Sequence, residues 1–327
     1  MAVTTIVGGA VTYSLDSREA LLAQQALSSA EQSFSGTTAY VLTSLSDTAP
    51  SGTFDIYNVA PRATFTTLRS SASALVLTGS DDAKITGHSG FELLVGNSGN
   101  DQINAAGGSG AIIAGSGVDT IALNSSGLAG GSQDIVTGPQ TALIKMQGGA
   151  ATIDGGAVDN VEVFGGANTV VGVSALDIGI DGGDNNITLS GGDLVTVKSG
   201  SNTIDSTGLG IKFHVFGGTN SLTLSGGDKV EVVAGENTIT AAGNDTISFG
   251  SGNDTIGVQG TATIQSGPGG VSVTYGSGGG KASAGAGSTT MIGGTGNTAF
   301  HAQGDGVGLP IGERCGAGIG VGRVLIR

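Results

Sequence analysis

The chain has 327 residues, of which 63 are Gly, 9 Phe, 4 Tyr and none Trp. That set cannot build a conventional core of large side chains, and with 5 prolines and no three-residue glycine period it is not collagen. The net charge of −14 repels nucleic acid and anionic membranes and attracts cations.

Disorder is a poor fit, because Val, Ile and Leu recur at regular places between the glycines. Most of the acidic excess lies in the glycine-rich stretch, where Lys145, Lys198, Lys212 and Lys229 are the bases between residues 85 and 280. Cys315 is the single cysteine, so an intramolecular disulfide is impossible. No segment is apolar enough to span a membrane. The start, "MAVTTIVGGAVTYSLDS", lacks the basic and long apolar regions of a secretory signal. Either the protein stays inside the cell or it leaves without a cleaved leader.

Residues 1–80 read as a small α+β cap that packs on the repeat region. "DSREALLAQQALSSAEQSF" (16–34) predicts a helix, capped by Asp16 or Ser17 with Glu19 completing a capping box. Ala20, Ala23, Leu27, Ala30 and Phe34 form its apolar face. "AYVLTSL", "TFDIYNV" and "ALVLTG" then read as strands, with Pro50 and Pro61 in the connections.

From about residue 81 to 300 a nine-residue step takes over. "GNSGNDQIN", "AAGGSGAII" and "AGSGVDTIA" are in register, aligning Gly99, Gly108 and Gly117, and Ile103, Ile112 and Ile121. Further on, "SGGDLVTVKSGSNTIDSTG" and "SGGDKVEVVAGENTITAAG" are offset by 35 residues. That is two coils of 17–18 residues, each with two short strands and two glycine turns. Fixed-period self-similarity of this kind marks a β-solenoid, whose coils bury their apolar residues by stacking on one another. One turn column contains Asp193, Gly210, Asp228 and Asp245. The other contains Asp184, Asn202, Asn220, Asn237 and Asp254. Residues 301–327 lose the spacing and read as an irregular tail.

The copies "GNSGNDQIN", "AGSGVDTIA", "TAAGNDTIS" and "FGSGNDTIG" resemble the RTX nonapeptide, Gly-Gly-x-Gly-x-Asp-x-aliphatic-x, of bacterial secreted proteins. The resemblance implies a right-handed parallel β-roll in which Ca²⁺ sits between turns of neighbouring coils, and type I export without a cleaved signal. Ca²⁺ takes six to eight oxygens, which stacked turns can supply. Two turns must cooperate, so residues one coil apart are paired: Asp101 with Asp119, Asp228 with Asp245, and Asp254 with Glu236. Gly99, Gly117, Gly243, Gly252 and Asn253 would complete these sites. Solvated turn carboxylates are the alternative. Between 125 and 240 the motif degenerates to "GGANT", "GSNT", "GGTN" and "GENT", where Asn202, Asn220 and Asn237 can instead form an amide ladder without metal.

No catalytic residues are expected. His88, His214 and His301 are widely separated, Cys315 has no neighbouring His, and the glycine motifs lack the Lys-Ser/Thr of a phosphate loop. Thr and Ser are abundant, yet Thr-x-Thr does not persist as a flat array, which argues against an ice-binding face. The expectation is a secreted, calcium-binding, non-enzymatic structural protein of a bacterial surface or matrix. It would form a homo-oligomer or homopolymer as a filament or surface layer, in possible contact with surface polysaccharide. The alternatives are a polysaccharide lyase or epimerase on the same architecture, and a monomeric adhesin or secretion carrier.

Overall fold

The computed structural model describes residues 2–28 with short gaps, 39–43, 54–59, 66–67, 72–87, 91–105, 109–123 without 116, 132–137, 142–146, 149–154, 159–172 without 166, and 176–302 without 297. The fold is nearly all β, a solenoid of about 11 stacked parallel coils. It divides into two units, residues 1–176 and 177–327.

In the second unit each coil contributes one strand to each of two columns. The first column runs from the N-terminal halves of Leu176–Leu189 and Leu194–Ser206 through Lys212–Val215, Lys229–Val232, Asn244–Phe249, Thr261–Gln265 and Gly280–Ala284 to Thr298–Ala302. The second takes the C-terminal halves of those two long strands. It continues through Thr219–Leu224, Glu236–Ala241, Asn253–Val258 and Gly270–Tyr275 to Thr289–Ile292. Every neighbour pair is parallel, and the register steps are 17 or 18 residues, as in Lys212↔Lys229 and Asn202↔Asn220.

The period-2 alternation of a strand explains the composition. Alternate residues point inward, so each short strand needs only two or three core side chains. One inner lane stacks Ile187, Ile204, Leu222, Ile239, Ile256 and Val273, all buried. Aromatic rings fill the core toward the last coils, where Tyr275 and Phe300 lie 5.9 Å apart.

The turns are backbone against backbone. A Cβ on Gly117 would collide with the Gly99 carbonyl, and one on Gly252, at φ +121°, with the Gly235 carbonyl. Only glycine lets the coils approach this closely.

In the first unit the parallel stacking begins earlier than residue 81. Ala39–Leu42 pairs with Phe54–Val59, which pairs with Ala72–Leu77, which pairs with Phe91–Val95. These strands belong to the solenoid columns, not to a separate cap. The sequence hides them because they lack the Gly-Asn-Asp turns that announce later coils.

The remainder of the cap is the antiparallel pair Ala2–Ile6 and Gly9–Tyr13 and helical residues between 17 and 28. Ala20, Ala23 and Leu27 pack with Val11, Tyr13 and Leu15 against Ile56, Ala74, Val76, Leu93, Val95 and Ile113. Those partners come from four successive coils, so the helix lies along a strand column and covers its outer face. This is why Ala72–Leu77 is buried at Ala74, Leu75, Val76 and Leu77 alike. Asp16, Glu19, Ala30, Phe34, His88 and Cys315 lie outside the described residues, as does the tail from 303. The step from Ala111 to Asp134 and from Thr120 to Leu143 is 23 residues, so one coil is longer than the rest.

Candidate functional site

The candidate residues are buried polar groups of two kinds, each at the start of strands. In the first, an aspartate turns inward and accepts the backbone N–H of the aligned residue one coil earlier. Ala83 donates to Asp101 Oδ1 at 2.9 Å and Asp101 donates to Asp119 Oδ1 at 2.8 Å. Ala142 donates to Asp159 Oδ1 at 2.8 Å, Ile211 to Asp228 Oδ1 at 2.8 Å, and Asp228 to Asp245 Oδ1 at 3.0 Å. The second oxygen binds donors of its own or a nearby turn. Asp101 Oδ2 takes Asn97 N–H at 2.8 Å, Asp245 Oδ2 takes Gly243 N–H at 3.2 Å, and Asp228 Oδ2 takes the Ser206 hydroxyl at 3.0 Å. The Thr137 hydroxyl donates to Asp159 Oδ2 at 2.6 Å.

The pairs Asp101–Asp119 and Asp228–Asp245 are therefore neighbours in the stack, joined by backbone-to-carboxylate hydrogen bonds. The slot assigned to Gly210 belongs to Ile211, since Leu194 aligns with Lys212. Gly99 donates to Asn97 Oδ1 at 2.6 Å, which braces the turn before Asp101. Gly117 and Gly243 stack on the turns of the preceding coils, at Gly99 and Gly226. Asp159 escaped the sequence reading because the longer coil shifts it off the 17–18 step. Asn97 carries a weak signal, four residues before Asp101.

The second column is an amide ladder. Asn185 Nδ2 donates to Asn202 Oδ1, Asn202 to Asn220, Asn220 to Asn237, and Asn237 to Asp254 Oδ1, each at 2.7 Å. Asn185, Asn202 and Asn220 also donate to turn carbonyls three residues back, at Gly182, Ser199 and Gly217. Asn185, not Asp184, occupies the first rung, and Asp184 pairs with Ser201 on the opposite face. Asp254 likewise faces Asn237, not Glu236. Glu236 is exposed and aligned with Thr219, and Asn253 is exposed. A slip of one residue moves a side chain to the other face of a strand, and both errors are that slip.

Burial governs the charges. Burial drives Asp101 up to about 6, against the hydrogen bonds from Asn97 and Ala83, and the Asp82 charge adds to the rise. Asp159, Asp245 and Asp254 are also raised above the usual carboxylate range, with burial the leading cause.

These surroundings bear on calcium. A Ca²⁺ ion must be surrounded by oxygens. The oxygens of Asp101, Asp228 and Asp245, and Oδ1 of Asp119, are met instead by N–H and O–H donors, so these atoms do not fit the ion. Asp254 differs. Its Oδ1 takes both the backbone and side-chain N–H of Asn237, while its Oδ2 is buried without a hydrogen-bond partner among the described residues. Among the described residues no three His, Cys, Asp or Glu side chains cluster as a metal group, and no helix is long and apolar enough to cross a membrane.

No protein family, curated protein or solved structure matches the chain.

Proposed function

We propose that the protein is a non-enzymatic structural solenoid, exported by bacteria and assembled end to end at the cell surface or in the matrix. The observation that carries this is the use of its buried polar residues. The carboxylates and amides of both columns hold one coil to the next, through bonds such as Asn202 to Asn220 and Asp228 to Asp245. Chemistry of this kind builds a scaffold.

The last described coil supports assembly. Thr289–Ile292 and Thr298–Ala302 each have one strand partner among the described residues. A parallel edge of this sort is a template for another chain, and a head-to-tail contact that does not close gives a filament. Calcium remains in this proposal at Asp254, whose buried Oδ2 has no hydrogen-bond partner among the described residues, with turn carbonyls as its further ligands.

Electron microscopy of the purified full chain, with and without Ca²⁺, tests the reading. Ordered polymers are the expected result. A monomer that degrades uronate polymers would overturn it in favour of an enzyme, and an inert monomer in favour of an adhesin or secretion carrier.

A further inference from the structure

The outer face of the second unit's second column is a two-dimensional hydroxyl array. The register aligns Thr203, Ser221, Thr238, Thr255, Ser272 and Thr290 in one lane, a Thr or Ser on each of six successive coils. The first four are exposed and the last two half-exposed. Two residues further along the same strands a second lane carries Thr223, Thr240 and Thr274, interrupted by Gly257, preceded by Asp205 and followed by the exposed Ile292. The sequence conceals this lattice because Thr and Ser are common throughout the chain, so one row of them does not stand out as the Asn row beside it does.

The array has three physical properties. Its spacing is fixed at about 4.8 Å between coils and about 6.7 Å between lanes, the dimensions of a parallel sheet. Its threonines are β-branched and stiff at χ1, so hydroxyl and methyl positions are set before any contact, and little entropy is lost on binding. The main lane is uncharged on a chain of net charge −14, with Glu236 and Asp205 at its sides, whereas the aligned lane of the first column carries Lys212, Lys229 and Lys281.

A dissolved ligand is held by different groups converging on one place. Here one chemistry repeats along the stack, so the matching partner is itself periodic, extended and neutral. The lanes hold no aromatic ring to stack on a sugar. We infer that this face binds ice, with Thr and Ser hydroxyls anchoring ordered water at the repeat of the sheet and Thr methyls excluding disordered water between them. This goes beyond the assembly reading and stands without it, since a monomer can bind ice.

The test is uptake of the full chain into ice grown slowly from a seeded cold surface, against a non-binding protein of similar size. The chain is expected to enter the ice. Thr238→Lys with Thr255→Lys should abolish uptake, whereas Thr246→Lys with Thr263→Lys, on the exposed opposite face, should leave it unchanged. Gly257→Thr should increase it, because a Cβ there meets nothing within 4 Å and the new hydroxyl closes the gap in the second lane. Circular dichroism confirms that each variant is folded. Exclusion of the unmodified chain from ice overturns the inference whatever the variants do. So does equal behaviour of the two double variants. So does retention on insoluble polysaccharide, or dimer formation, that depends on Thr238 and Thr255 without ice uptake.

Discussion

Replacing Asn220 by Ala removes the middle of the amide ladder. Three hydrogen bonds go: the one from Asn202 Nδ2 at 2.7 Å, the one to Asn237 Oδ1 at 2.7 Å, and the one to the Gly217 carbonyl at 3.1 Å. At about 1 kcal/mol net each they amount to about 3 kcal/mol, and stranding the Asn237 carbonyl in a buried site adds about 1–3 kcal/mol. The expected loss is therefore about 4–6 kcal/mol. Thr238→Ala, on the exposed face one residue from Asn237, should change stability by less than about 0.5 kcal/mol. Urea unfolding at pH 7 followed by circular dichroism measures both, with hydrogen exchange at the coils from 202 to 237 to detect local opening, since stacked repeats need not unfold all at once. Asn220→Asp sharpens the comparison. A carboxylate at 220 faces the Asn237 carbonyl acceptor to acceptor, and only its protonated form restores the donor. That variant should recover stability on acidification, which Asn220→Ala cannot. A loss below about 1 kcal/mol for Asn220→Ala, or no acid recovery for Asn220→Asp, would refute a ladder that carries load.

Other perturbations separate the parts of the structure. Asp101 is raised from 3.8 to about 6, so the native state binds its proton more tightly. Stability then falls as pH rises from about 4 to about 6 and is flat above, by at most about 3 kcal/mol from this residue. Asp159, Asp245 and Asp254 act in the same sense, and a urea midpoint that climbs between pH 4 and 6 would contradict the burial. Gly252→Ala forces a Cβ into the Gly235 carbonyl at φ +121° and should lower the melting temperature sharply, whereas Gly257→Ala, with open space around its Cβ, should be neutral or stabilising. Asp254→Asn should fold normally at pH 7 but abolish any rise in melting temperature that Ca²⁺ produces. An undiminished rise in that variant removes Asp254 from the calcium proposal. Leu27→Ala should cost about 2–5 kcal/mol if the helix is anchored in the first unit's cluster, as read by the same urea transition.

How far the sequence revealed this depends on which feature repeats at a fixed place. The 17–18-residue coil, the amide ladder and the alignment of Asp101 with Asp119 and of Asp228 with Asp245 were legible, because identical residues recur in the turns. The facing of each side chain was less legible. "ENT" at 236–238 offers Glu236 and Asn237 as neighbours, and only the pleat decides that Asn237 goes in and Glu236 out. Repeat logic also fails where the motif is absent. Ala72–Leu77 stacks like any later strand and reads as one, yet its "ASALVL" has no Gly-Asn-Asp turn to mark it as part of a coil. The hydroxyl lane was missed for a different reason. Thr203, Ser221, Thr238 and Thr255 keep the same steps of 18, 17 and 17 as the ladder beside them, but Thr and Ser are common throughout the chain, so the lane does not stand out as the Asn row does.

The split between Asp and Asn follows from what each side chain can do. In the first column the rung is a backbone N–H, so the side chain needs only to accept, and Asp can follow Asp: Asp228 donates its N–H to Asp245 while its own carboxylate takes Ile211. In the second column the rung is side chain to side chain. Each member must both accept and donate, which Asn does and Asp does not. Such a chain has a direction, with every Nδ2–H pointing toward the next coil, and it must close on a residue that only accepts. Asp254 is that residue, since the next aligned position is Val271, which offers no acceptor. A charge there is favoured by the two N–H groups of Asn237 and opposed by burial. The column therefore ends in the least settled carboxylate of the ladder, and this is where a proton or a cation has most to gain.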